Sequence, residues 1–293
     1  FPFAWFLLSP AGLPFPFSPK YPSVPDTVRA GSDASSMIVA HEIFESLEAC
    51  TSTRTPPITA GFPALEIRTD GFDTGRVWVI TSRPGHGRST LALTLALNLA
   101  TGAGWQTDYV SARDELDLVS ARLLAAMSGV PVHQLRRGTL GDQDRDRVDA
   151  AVQNLRDVPL RIEAARFSRT AGFSGSGSKA VIIDDFEITG YESLNSLREA
   201  ANRGALVIVT VPRHHVVVDD ELDPAWAEVS DVIVDIERPD ARAADFSARP
   251  GEADLHILRN RAGPQGTITM AFQGHRGRFI PMGEKHCLGP ASS

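Results

Sequence analysis

Apolar residues along the chain gather into short uninterrupted runs, separated by longer stretches in which they recur every three or four positions. Val77, Val79 and Ile80 form a run short enough for a buried parallel strand, and Leu91, Leu93, Leu95, Ala96 and Leu99 continue on a helix-forming segment. Asp108 to Ala112 reads as a second strand. Glu115 to Met127 reads as a helix with Val119, Leu123 and Met127 on one face, ended by Gly129 and Pro131. Thr139 or Asp142 can cap the next helix, whose Val148, Val152 and Leu155 share a side. Strands follow at Leu160–Ala164 and, after a Gly/Ser loop at Gly172–Ser178, at Ala180–Asp184. Tyr191–Arg203 is predicted helical, and Ala205–Val211 and Asp231–Ile236 are predicted strands. Asp254–Arg259 and Thr267–Phe272 flank Gly263-Pro-Gln-Gly266 as an antiparallel hairpin. Alternation of strands and helices predicts an α/β fold: a mostly parallel sheet flanked by helices, with an antiparallel hairpin at its C-terminal end.

The ends of the chain differ from this middle. Residues 1–35 are rich in Pro, Phe, Ser and Gly without period and read as a disordered arm. Within 36–58, Ala40, Ile43, Phe44 and Leu47 make one face of a short helix that needs a partner surface, followed by a linker from Thr51 to Pro57. Residues 59–281 are then the folded domain and 282–293 a flexible tail. The opening Phe1-Pro-Phe-Ala-Trp-Phe-Leu-Leu is too short to span a bilayer and is followed by Pro10, Pro14 and Pro16, so no membrane anchor is expected.

Charge and cysteine content narrow the chemistry. With 293 residues and a net charge of −7, no global positive field announces nucleic acid, and any contact with DNA must be local. Cys50 and Cys287 provide neither a disulfide framework nor a zinc spacing, in keeping with a cytoplasmic protein.

The candidate chemistry lies between the first strand and its helix. Glycines there let backbone N–H groups turn inward, so that donors and the positive end of the helix converge on a phosphate. Against the pattern G-x-x-x-x-G-K-[ST], this chain has Ser82, Gly87, Arg88 and Ser89. Serine replaces the first glycine, and a planar guanidinium replaces the compact ammonium of lysine. Ser89 still offers a hydroxyl to Mg²⁺. Asp184 and Asp185 end a hydrophobic strand, where open α/β sheets bind ligands, and an acid there can hold Mg²⁺ through water.

Together with these features, several segments resemble the C-terminal, RecA-fold motor domain of DnaB-type replicative helicases over about Thr59 to Phe279. They are Ala60-Gly-Phe-Pro-Ala-Leu65 with Thr69-Asp-Gly71, Arg83-Pro84, Leu123-Leu124, Asp157-Val-Pro-Leu160, and Arg259-Asn-Arg-Ala-Gly-Pro-Gln-Gly266 leading into Thr267–Phe272. The KaiC and RadA proteins share the core without matching that hairpin as closely. The resemblance implies a RecA-like P-loop NTPase core with ATP and Mg²⁺ as cofactors. Arg83, Pro84, Gly85, His86, Gly87, Arg88, Ser89 and Thr90 would bind nucleotide, with Ser89 and Asp184 on the metal. It further implies a homo-oligomeric, hexameric ring acting on DNA, with Arg259 as a basic residue and Arg261 as an arginine finger reaching ATP on the adjacent subunit. The helix at Ile38–Glu48 resembles the family's linker helix.

The departures bear on activity. The family's catalytic glutamate aligns with Arg113, which cannot accept a proton from water. Asp114 or Glu115 are candidate substitutes, and both also fit as caps of the following helix. The glutamine that senses the γ-phosphate aligns with Pro212, which has no amide side chain. Arg213, His214 and His215 beside it read as a phosphate or DNA contact or as a basic turn. Little room remains between Ile188 and Tyr191 for a DNA-facing loop, and Asp219, Asp220, Glu221 and Asp223 make the Val216–Trp226 segment repel a phosphate backbone. The expectation is a DnaB-like motor with weakened hydrolysis and a weakened grip on single-stranded DNA, or else a hydrolysis-impaired, RecA-fold nucleotide-binding scaffold or regulatory protein of the same ancestry.

Overall fold

A computed structural model of the chain describes residues 58–164, 179–186, 191–241 and 249–282. All of these belong to one unit beginning at Pro56. The arm, the helix expected at 38–48, the linker to 57, the Gly/Ser loop at 172–178, the interval 187–190 and the tail from 283 lie outside the described residues.

The elements run α1 (Pro63–Thr69), β1 (Val77–Ser82), α2 (Arg88–Gly102), β2 (Thr107–Ser111), α3 (Leu116–Ser128), α4 (Val132–Arg137), α5 (Asp142–Leu155), β3 (Leu160–Ala164), β4 (Ala180–Asp184) and α6 (Tyr191–Asn202). They continue with β5 (Leu206–Pro212), β6 (Val217–Val218), β7 (Glu221–Leu222), α7 (Pro224–Val229), β8 (Val232–Glu237), β9 (Glu252–Asn260), β10 (Gly266–Gln273) and β11 (Arg278–Pro281). Nine strands form one sheet in the order β11-β10-β9-β8-β1-β5-β4-β2-β3. From β8 to β3 neighbours run parallel, whereas β8–β9, β9–β10 and β10–β11 are antiparallel.

Both faces of the central strands are covered, which is why β1 is buried at every position. Alternate side chains serve separate cores. Trp78 and Ile80 join Leu91, Leu95 and Leu99 of α2 on one face, while Val77 and Val79 join Leu194 and Leu197 of α6 and Trp226 of α7 on the other. At the β3 edge the strand is mostly exposed and carries Arg161 and Glu163, charges that discourage a further strand from pairing there.

Several expectations need correction. Gly141, not Thr139 or Asp142, occupies the N-cap of α5, and no side chain caps it. Only Ala151 of that helix is buried; Val152 is exposed because α5 turns Val148, Ala151 and Leu155 inward. The antiparallel part is broader than a hairpin, since β11 adds a third strand through Phe279 and Ile280. The acidic stretch after β5 folds as the β6–β7 ribbon, with Asp219 and Asp220 exposed at its turn in left-handed backbone. Among the described residues, no helix is long and apolar enough to cross a membrane.

The seven-residue α1 is too short to stand by propensity and is held from outside. Glu66 carries one carboxylate oxygen that accepts from the backbone N–H groups of Ala60 (2.6 Å) and Phe62 (2.9 Å), both buried. Phe62 and Leu65 then enter the core, and Phe72 stacks on Trp78 at 4.5 Å. Glu66→Ala strands two buried donors and is expected to lower the unfolding free energy by about 2–3 kcal/mol in urea titrations, with Glu66→Gln keeping most of it. Equal losses for the two variants would show that the acceptor oxygen is not what holds this helix.

Candidate nucleotide site

Parallel pairing brings the carboxyl ends of β2, β4, β5, β1 and β8 to one edge of the sheet. Ser82 at the end of β1 lies opposite Pro212 of β5 and Ile236 of β8, and Ser111 of β2 lies opposite Asp184 of β4. The loop Arg83–Gly87 emerges at the middle of that edge. α2 starts immediately after it, with Leu91 N–H donating to Gly87 C=O (2.9 Å) as an early helical bond. The N–H groups of Arg88, Ser89 and Thr90 precede it and lack helical acceptors, and no acidic side chain stands in the first turn to offset the helix dipole.

Glycine is required at 87 for two reasons. Its φ of 102° is left-handed, and a Cβ would fall 2.8 Å from Cε2 of Phe272 and 3.1 Å from Cζ of Phe279. The loop is also fastened from β8. Buried His86 accepts through Nδ1 from the backbone N–H of Arg238 (3.1 Å), and the Arg238 guanidinium donates to the Gly85 carbonyl (2.9 Å). The same guanidinium bonds Asp240 (3.0 Å) and lies 4.2 Å over the Phe272 ring.

Asp184 is almost fully buried at the end of β4. Its carboxylate accepts from the hydroxyls of Tyr109 (2.8 Å) and Thr210 (2.7 Å), and the Ser89 hydroxyl lies close enough to favour its charged form. Burial pushes the Asp184 carboxyl above the usual carboxylate range, and the three hydroxyls oppose the shift. Asp185 follows in left-handed backbone (φ 62°), its N–H donating to Thr210 Oγ1 (2.8 Å). Its carboxylate faces two guanidinium groups, Arg88 Nη2 at 3.2 Å on one oxygen and Arg113 Nη1 at 3.2 Å on the other. Arg88 also donates from Nη1 to the Ser82 carbonyl (3.0 Å).

The structure thus gathers the loop, Arg88, Ser89 and Asp184 at one place. Asp114 is turned into an ion pair with Arg122, and its backbone is tied to Ser111 Oγ (3.0 Å). Glu115 occupies the N-cap position of α3 without a side-chain cap bond. Arg213 opens a single 3-10 turn and is committed to Asp235 (2.9 Å). Arg259 and Arg261 are not near the loop of their own chain. Asn260 pairs with Val232 at the start of β8, whereas the loop stands at that strand's far end, about 17 Å away over its six residues. There Arg259 donates to the Ser230 carbonyl (3.1 Å), and Arg261 donates its backbone N–H to the Asp231 carbonyl (2.8 Å), beside a recess of about 330 Å³. Tyr109, Thr210 and Arg238 are site residues that sequence reasoning missed. The available signal was the single hydroxyl of Thr210 in the otherwise apolar β5; β2, which also carries Thr107, Asp108 and Ser111, gave none for Tyr109.

The fastening of the loop is sensitive to pH. Burial holds the His86 pKa below its ordinary value; Arg238 and Arg83 add to this, while the Ile236 backbone and Glu237 oppose it. A depressed histidine adds stability above about pH 6.5, and that stability is lost as pH falls through the folded-state value. Protonation also removes the acceptor that Arg238 N–H uses. Thermal melts between pH 8 and 5 are expected to fall more steeply for the native chain than for His86→Asn; superimposable profiles would show that His86 does not titrate with unfolding.

Residues 57–173 match the family model of the DnaB-like helicase C-terminal domain. The chain is 37% identical over 248 residues to the replicative DNA helicase DnaB of Treponema pallidum, covering 76% of this chain and 56% of that protein. It is 27% identical over 256 residues to DnaB of Leifsonia xyli subsp. xyli, covering 77% and 56%. The chain therefore spans just over half the length of these helicases. Among solved structures, an isolated ATPase domain superimposes with a TM-score of 0.70 at 18% identity, covering 83% of this chain and 98% of that one. A DnaB-like replicative helicase studied with primase superimposes at 0.71 and 18%, covering 86% and 68%. Family match, relatives and fold agree with the loop and acid pair on the sheet edge: the domain that begins at Pro56 is a RecA-fold domain of the DnaB helicase C-terminal type.

Proposed function

We propose that this domain binds ATP with Mg²⁺ at the β1–α2 loop and serves as a DnaB-type motor on DNA whose hydrolytic step is slow. The observation that carries the reading is the nearness of the Ser89 hydroxyl, at the start of α2, to the Asp184 carboxylate, which brings the phosphate loop to the strand-end acid. One hydroxyl and one buried acid suit Mg²⁺, which takes few protein ligands and fills its octahedron with water and phosphate oxygens. Bound there, the ion would neutralise charge on the phosphates. The N–H groups of Arg88, Ser89 and Thr90 would receive phosphate oxygens, with Arg83, Pro84, Gly85, His86 and Gly87 shaping the turn and Arg88 supplying charge.

Slow hydrolysis follows from what stands at the end of β2. Arg113 aligns with the place where a general base is needed; the next acid in sequence, Asp114, is paired with Arg122, and Asp185 is held between Arg88 and Arg113. Absence of a general base costs roughly a hundred- to ten-thousandfold in rate. The exposed acids of the β6–β7 turn support a weak hold on single-stranded DNA. These features also favour a second reading, a nucleotide-gated scaffold in a ring. In either case Arg259 and Arg261, about a strand's length from their own loop, would serve the ATP of an adjacent subunit. A cytoplasmic place in DNA replication belongs to the first reading.

Calorimetric titration with ATP and steady-state hydrolysis with and without single-stranded DNA test the proposal together. The expected result is magnesium-dependent binding with slow turnover weakly stimulated by DNA. Fast, strongly DNA-stimulated turnover would discard the slow step, and a flat isotherm would discard the site. The arrangement in trans has its own check. Arg261→Ala and Arg88→Ala chains, each inactive alone, are expected to regain part of the native turnover when mixed, since the second offers an intact Arg261 to the loop of the first. Failure to regain any, in oligomers shown to be mixed, would place the finger elsewhere.

A further inference from the structure

Asp185 sits between two arginines that converge from different elements. Arg88 begins α2 and Arg113 follows β2, yet each places a guanidinium nitrogen 3.2 Å from a different oxygen of the one carboxylate. The three partners differ in freedom. Arg88 has 10% of its side chain exposed and is held as well by the Ser82 carbonyl, whereas Arg113 is 76% exposed and bonds Asp185 from solvent. Asp185 is fixed through its backbone, with its N–H on Thr210 Oγ1 and its φ in the left-handed region. Two like charges are brought together at the mouth of the phosphate loop, and a carboxylate is what makes their approach tolerable. Burial lowers the Arg88 pKa, Asp185 and Asp184 oppose that, and Arg113 adds to it, as closely set like charges require.

From this geometry we infer that Arg88 and Arg113 form a two-guanidinium cradle for the terminal phosphate of a nucleoside triphosphate, and that Asp185 is an internal anion which the phosphate must displace. The inference rests on the nucleotide site proposed above and deepens it. Guanidinium groups match phosphate oxygens in pairs and gain more from a multiply charged phosphate than from a singly charged carboxylate. Arg113 would therefore bind where a base would otherwise act. The site would recognise the terminal phosphate strongly while lacking a group to activate water against it. Asp185 would set the affinity by competition, so that removing its charge tightens binding. Arg113 is then a binding residue for the triphosphate.

The test is calorimetry on the full chain with AMP-PNP and with ADP, each with and without Mg²⁺, for the native protein and for Asp185→Asn, Arg113→Gln and Arg88→Ala. Asparagine keeps the shape of Asp185 and tolerates left-handed backbone, so that variant removes charge alone. Asp185→Asn is expected to bind AMP-PNP about tenfold more tightly, and Arg113→Gln about tenfold more weakly, the loss for ADP being smaller. If Asp185→Asn instead weakens binding only when Mg²⁺ is present, Asp185 is a metal-linked acid and the competition is overturned. If Arg113→Gln binds AMP-PNP as the native chain does while Arg88→Ala binds it poorly, the cradle fails and the nucleotide site stands. No binding of either nucleotide by the native chain sinks both.

Discussion

A carboxylate removed from water at the end of a central strand must be surrounded by donors or lose its charge. Asp184 is that group here: Tyr109 from β2 and Thr210 from β5 donate to it, and the Ser89 hydroxyl of α2 stands beside it. Each of those hydroxyls is positioned by sheet register or by the helix that leaves the loop. The Thr210 hydroxyl has a second task, accepting the N–H of Asp185 and so turning that residue toward the arginines. The local geometry of the phosphate loop and the pairing of the parallel strands thus meet in one buried charge. A slip of a strand by one residue would remove a hydroxyl and reverse both cores together.

The central strands were legible because burial on both faces demands continuous apolar runs. Leu160–Ala164 and Ala180–Asp184 match the expected bounds residue for residue, and Gly129 ends α3 in left-handed backbone as expected. Less was legible where stability comes from elsewhere in the fold. α1 depends on the Glu66 carboxylate, and β11 has four residues and forms through its partner strand. In α5 the pattern Val148, Val152, Leu155 satisfies helical spacing, yet the helix presents the Ala151 side to the core. A small residue permits the close approach, and no periodicity argument weighs alanine above valine.

The site divides along the same line. Gly87, Arg88, Ser89 and Asp184 could be read because backbone freedom, charge and a strand-end acid are local properties. Tyr109, Thr210 and Arg238 could not, since their roles come from register and from a strand distant in sequence. Asp185 was legible as an acid and not as a partner of two arginines. The carboxyl edge holds the loop and the acids, and the opposite edge holds Arg259 and Arg261 around Asp231. One chain thus presents two unlike faces at the two ends of its strands.

Phe272 and Phe279 approach Gly87 so closely that no side chain fits between them. Two strands far along the chain thus form part of the wall against which the loop is cast. A nascent chain carrying β1 and α2 alone would hold the glycines without the surface that fixes their turn. Non-local closures of this kind come late and slowly. Competence to hold phosphate would then arrive with the antiparallel strands, as one of the last events of folding rather than one of the first.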